Sequence, residues 1–249
     1  MQFTVKVLLL LTIGFSSVGL FAQKKQASNF NEGIIKYVIE VEGTAEFAQF
    51  VDNSAIYLYL KGENSKMDFN IMGGLANFQL INNMNDDLFT LMMDVPAFYE
   101  KTAISFDENS NLFDEIEVTK NRNKAPQKEM VVEYFKNKKK KIAKYLCYKA
   151  VLSAGPNEND KLTMYLTDKL RPQLLSKIEE SIGYLDGFPL GFEIMIDDIT
   201  VKIVAEEVLK QDVETNSFVV PNSYTLKSLE QFKEELQKKF GTGSDVIRL

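Results

Sequence analysis

The chain has 249 residues, 45% of them hydrophobic, with a formal charge of −6, one cysteine and no histidine. Without histidine there is no Ser-His-Asp or Cys-His nucleophilic site and nearly no ordinary zinc site, because imidazole is the base or ligand in each. A lone cysteine closes no intramolecular disulfide, and an acidic chain is a poor general binder of nucleic acid.

The first six residues end in a positive charge at Lys6, and residues 7–15 are almost all Leu, Ile, Val and small side chains. This is the pattern of a cleavable secretory signal, with Ser16, Ser17, Gly19 and Ala22 supplying small residues ahead of a cut near Gln23. A membrane-spanning helix needs roughly 20 apolar residues, which neither this block nor any later stretch provides, so no transmembrane segment is expected. A lipid anchor would need a cysteine at the cut, yet the only one is Cys147. Removal of the leader takes Lys6 with it and leaves a charge of about −7 on about 226 residues, enough to bury a core without staples. The expected organisation is a signal peptide over 1–23 and a single curved-sheet domain over 24–249.

After the leader, Ile35, Tyr37, Ile39 and Val41 alternate with Lys36, Glu40 and Glu42, the period of a strand with one buried face. Ile56, Leu58 and Leu60 lead through Lys61-Gly62-Glu63-Asn64 to Met67, Phe69 and Ile71, which reads as a hairpin. Gly73-Gly74 interrupts the pattern, and residues 78–81 and 88–92 flank a polar tip over 82–87 as a second hairpin. A further strand is expected over 98–104, followed by a long exposed connection over 107–127, rich in Asp, Glu, Asn and Lys.

Strands over 130–135 and 142–152 are expected to be joined by a lysine-rich turn at 137–141, and another turn at 156–160 precedes Leu162, Met164 and Leu166. The period then changes. Leu174, Leu175, Ile178 and Ile182 share one helix face that Pro172 starts and Gly183 ends. Phe192, Ile194 and Ile196 pair through Asp197-Asp198 with Ile199, Val201 and Ile203, and residues 218–220 read as a last short strand. Leu226, Leu229, Phe232, Leu236 and Phe240 mark a terminal amphipathic helix. Ten or so antiparallel strands with two late helices imply an α+β fold, in which a strongly curved antiparallel β-sheet holds a helix in its concave face.

The residues that bear chemistry are sparse. Asp86 with Asp87 and Asp197 with Asp198 are carboxylate pairs, but adjacent Asp residues on a turn point apart and bond locally. Asp107, Asn109 and Asn111 copy the opening of a calcium loop that fails at Leu112 and Val118, where Gly and a bidentate Glu belong. Cys147 lies in an apolar run, where a thiol behaves as a small hydrophobe. Gly73-Gly74 and Gly241-Thr242-Gly243 lack the spacing of a phosphate loop. Lys136 and Lys138, Lys139, Lys140 and Lys141 form the one dense positive cluster, read either as a solvated hairpin tip or as a contact for anionic head groups or a partner. The 18 phenylalanines and nine methionines fill a core or line an apolar pocket.

Five segments in order resemble a family of exported envelope proteins, the domain of unknown function 4412. They are Gly33-Ile34-Ile35-Lys36-Tyr37, residues 61–67, residues 141–150, Gly187-Phe188-Pro189-Leu190 and Phe218-Val219-Val220-Pro221. Lys144 departs from the pattern, since such proteins commonly carry Gly before the Tyr. The resemblance implies a half-open antiparallel barrel similar to the LolA and LolB lipoprotein carriers, in a Gram-negative envelope. It supplies no substrate.

The expectation is therefore a non-enzymatic exported protein, periplasmic or outer-membrane-associated, that binds a lipid or lipoprotein ligand in an apolar concavity. No catalytic, cofactor or metal residue is assigned. The alternatives are an interaction module with a solid core that meets an envelope protein partner, and a hydrolase built on carboxylates or on serine with lysine.

Overall fold

Strand β1, Glu32–Glu42, buries Ile35, Tyr37 and Ile39 on one face while Lys36 and Glu40 stay on the other. The computed structural model describes residues 29–43, 48–83, 88–95, 100–107, 131–153, 161–175, 185–196 and 199–240. The same alternation makes β2 (Ala55–Lys61) and β3 (Asn64–Ile71), with a helical turn α1 (Ala48–Val51) ahead of them. β4 (Ala76–Asn83), β5 (Leu88–Asp94) and β6 (Thr102–Asp107) follow, then β7 (Val131–Ile142), β8 (Tyr145–Ser153) and β9 (Lys161–Thr167). β10 (Phe188–Ile196), β11 (Ile199–Leu209), the short β12 (Thr225–Lys227) and helix α2 (Leu229–Phe240) complete the order.

The twelve strands among the described residues form one sheet in the order β12-β6-β5-β4-β3-β2-β1-β11-β10-β9-β8-β7. Every pair is antiparallel except β12 on β6. The ends of the order, β12 and β7, do not pair, so the sheet is open. Residues from strands as far apart as β3 and β8 share one buried cluster, which a flat sheet of this width cannot arrange.

Register defines an inner face. Tyr37, Ile56, Phe69, Phe78 and Met93 are successive Cα partners across β1 to β5, and Ile35, Leu58, Met67, Leu80, Leu91 and Ile104 form the next row. Two covers lie on this face. Leu170, Leu174, Leu175 and Leu185 pack with β1, β2, β9 and β11, and Leu229 and Phe232 of α2 pack on Met93 and Ile104. A reciprocal cap starts α2, where Gln231 N donates to Ser228 Oγ at 3.2 Å and Ser228 N donates to Gln231 Oε1 at 2.9 Å. Lys227 donates to both Glu100 and Glu235, tying the start of the helix to the sheet edge.

The outer face is crossed by residues 210–224. Val213 and Phe218 are buried there against Ile81, Met92 and Ala103.

Several expectations change. The lysine run belongs to β7, and the turn is Ala143-Lys144, both at positive φ (44° and 74°). The last strand expected over 218–220 is instead a 3-10 turn at Thr215–Phe218, with Phe218 buried. Leu226 belongs to β12, so the terminal helix begins at Leu229, and the strand expected over 98–104 runs Thr102–Asp107. Of the helix expected after Pro172, only its start is described, where Leu175 N donates to Pro172 O at 3.0 Å. The leader, residues 108–127 of the long connection, Asp86-Asp87, Asn109, Asn111, the turn at 156–160, Asp197-Asp198 and residues 241–243 lie outside the described residues.

Two glycines of the family-like segments are set by close backbone approach. A Cβ on Gly33 would stand 2.2 Å from Leu209 O, and one on Gly187 would stand 2.6 Å from Thr167 O. Neither strand path tolerates a side chain at these points.

Candidate binding strip on the inner face

Exposure along one inner row locates the site. Ile35 is 0% exposed and Leu58 6%, then Met67, Leu80 and Leu91 are all partly exposed, and Ile104 returns to 0%. The buried ends lie under the two covers. The middle lies between them, with partly exposed Phe78 and Val95 packed against both the main core and the α2 cluster. Over β1, β2, β9 and β11 the expected concavity is filled, since Ile39, Met164 and Leu166 are fully or almost fully buried. On β3, β4 and β5, among the described residues, the row keeps a partly exposed apolar strip about three strands wide.

One end of the strip is polar. Ser65 and Asn82 are Cα partners on this same face, each 6% exposed, beside Leu60 and Phe89. The Asn82 Nδ2 is buried with no hydrogen-bond partner. An orphaned amide donor of this kind costs about 1–3 kcal/mol. The strip is thus an apolar surface with a buried polar pair at one end, a geometry suited to an acyl chain.

The outer face of the same strands is chemically different. Asp68 Oδ1 accepts from Asn77 Nδ2 at 2.8 Å and from Asn70 Nδ2 at 3.3 Å, and Gln79 Nε2 donates to Asp68 Oδ2 at 3.3 Å. Lys66 stands 4.5 Å from the centre of the Tyr59 ring, and burial draws its ammonium below the usual lysine range against the pull of Asp68. The carboxylate and the amides satisfy one another, which is a structural role. A hollow of about 460 Å³ lies between Glu32, Lys61 and residues 212–216. Here Lys61 Nζ donates to Glu32 Oε1 at 2.8 Å and to Val213 O at 2.6 Å, while Val213 N donates to Glu32 Oε1 at 2.7 Å. The hydrogen bonds from Lys61 and Val213 hold the Glu32 carboxyl below its ordinary value. This network fastens the crossing segment to β1 and β2.

Of the residues singled out from sequence, Cys147 is fully buried, and burial pushes its thiol up to about 11. It is a core residue. Gly73 and Gly74 sit in a 3-10 turn at φ 65° and 92°, away from any helix start. The lysines extend along an edge strand instead of crowding a tip. Among the described residues there is no cluster of three Cys, Asp or Glu side chains that could hold a metal ion, and no helix long and apolar enough to cross a membrane. Sequence reasoning missed Asn82, whose signal is an Asn on the inward side of an apolar strand.

No family model and no curated protein matches the chain, so the likeness to the domain of unknown function 4412 rests on the five segments alone. Solved structures do resemble it. The crystal structure of MucB superposes with TM-score 0.41 at 7% identity, covering 79% of this chain and 60% of MucB, so the chain spans less than two thirds of that protein. The lipoprotein LppX of Mycobacterium tuberculosis gives 0.35 at 7% identity, over 73% of this chain and 88% of LppX. A DUF1329 family protein from Desulfovibrio piger gives 0.34 at 8% identity, over 77% and 90%. TM-scores below 0.5 assign neither a ligand nor a function to this chain.

Proposed function

We propose that the chain is an exported envelope protein, without enzymatic activity, that binds the acyl chain of a lipid or of a lipidated partner. The single observation behind this reading is the partly exposed run Met67, Leu80 and Leu91 between fully covered neighbours on one row of the inner face. The hydrocarbon lies along that run, beside the buried Ser65 and Asn82 pair at one end. The leader over residues 1–23 directs the protein to the periplasm or the outer membrane, where such ligands occur.

The test has two parts. Protein expressed with its leader is purified from the envelope, its N-terminus is sequenced, and bound lipid is extracted for mass spectrometry. The delipidated protein is then titrated with a fluorescent long-chain fatty acid, alone and as Leu80→Glu. An N-terminus near Gln23, co-purifying acyl lipid, and saturable binding lost in Leu80→Glu are expected. Fatty acid binding that Leu80→Glu leaves intact, or a wild-type protein that binds none, overturns the assignment.

A further inference from the structure

We propose that the Leu146 side of the β7–β8 hairpin tip docks the protein onto the anionic phospholipid head groups of a bilayer. The two strands pair Lys141 with Leu146 and Ile142 with Tyr145 across the turn Ala143-Lys144. Cα partners share a face, so Cys147 lies on the side of Lys140, together with Ile142 and Tyr145, and Ile142 and Cys147 are 3% and 0% exposed there. Lys139, Lys141 and Leu146 are exposed on the other side, which they share with Tyr148, and Lys144 is exposed in the turn beside them. Leu146 is 56% exposed at the centre of this face.

The charge pattern is local. The whole chain carries −6, yet Lys139, Lys141 and Lys144 make no ion pair, and Lys136 alone in this stretch is taken by a carboxylate, that of Asp186. Lys138 and Lys140 flank the face, each 5.3 Å from an aromatic ring centre, over Phe135 and Tyr165. Unpaired lysines around an exposed aliphatic side chain match a bilayer surface, where ammonium groups meet phosphates and the leucine enters the acyl boundary.

Lysines on an edge strand also block unwanted strand pairing, and β7 is such an edge. That role accounts for the charges on β7. It gives no reason for Leu146, which lies on β8, already paired on both sides. An acidic protein partner would use the lysines but would gain nothing from a lone projecting leucine.

The experiment is flotation of the purified full-length protein with phosphatidylcholine vesicles, with and without phosphatidylglycerol. Wild type, the Lys139→Gln/Lys141→Gln/Lys144→Gln triple variant and Leu146→Gln are compared, with Lys169→Gln as the charge control. Binding is expected only with phosphatidylglycerol, weakening as salt rises. Each lysine removed lowers partitioning about fivefold, and the triple about a hundredfold. Leu146→Gln lowers it about tenfold without changing charge, and Lys169→Gln has the effect of one distant charge. Circular dichroism confirms that the variants fold. The proposal is overturned if wild type does not float. It is also overturned if Leu146→Gln floats like wild type while soluble polyglutamate competes, which marks an acidic protein partner. Lysine variants that aggregate yet float normally assign the cluster to edge protection alone.

Discussion

The turn at the tip of that hairpin offers a quantitative check on the fold. Ala143 and Lys144 hold φ of 44° and 74°, the arrangement of a two-residue type I′ turn, which favours Asn followed by Gly. A side chain in the left-handed region costs about 1–2 kcal/mol, of which Gly's greater freedom in the unfolded chain returns about 0.5–1. Lys144→Gly should therefore stabilise the protein by about 0.5–1 kcal/mol. For a chain of this size that is a rise in Tm of about 1–4 °C. Ala143→Asn/Lys144→Gly should add a further few tenths of a kcal/mol. Differential scanning calorimetry with urea unfolding measures both. A fall in Tm on Lys144→Gly would refute the turn geometry and with it the placement of the lysines on β7. Lys144 is also where the chain departs from its family-like segment, and its charge belongs to the proposed membrane face, so the same variant should float less well. Stability is given up at this position for a charge.

Gly33→Ala should lose about 3 kcal/mol or fail to accumulate, because the new Cβ meets the Leu209 carbonyl at 2.2 Å; chemical unfolding measures the loss, and near-neutral behaviour would contradict the β1–β11 register. Asn82→Leu should raise the stability of the protein by about 1 kcal/mol in urea unfolding, since a buried donor without a partner is removed, and a loss of stability would contradict that burial. The Glu32 carboxyl is depressed in the folded protein, so its contribution is present above its unfolded value near 4.5 and is lost as pH falls through the lower folded value. Wild type should therefore lose stability faster than Glu32→Gln below about pH 4.5 in acid titrations followed by circular dichroism.

Alternation made most strands readable, because each strand from β1 to β3 carries its buried residues every second position. The pattern failed where burial is absent. Residues 136–141 are all exposed on an edge strand, so no apolar period marks them and the four lysines of 137–141 read as a turn. β12 has three residues and owes its place to parallel pairing with β6, which local sequence does not encode. The segment over 210–224 is mostly polar, and its scattered apolar residues, chiefly the buried Val213 and Phe218, are what hold it on the sheet. The missing imidazole was plain from composition. The binding strip was not, because Leu80 and Leu58 are the same residue type in the same row and differ only in what covers them.

Thiol labelling at Leu80 tests that difference most directly. Leu80→Cys places a reactive group on the strip, and the native Cys147, fully buried with its thiol pushed up to about 11, serves as the silent internal reference. The account predicts maleimide labelling of Leu80→Cys in the folded protein at neutral pH, slowed as long-chain fatty acid is added, with Cys147 unlabelled throughout. A Leu80→Cys thiol that stays as unreactive as Cys147, or one whose labelling fatty acid leaves unchanged, would contradict it.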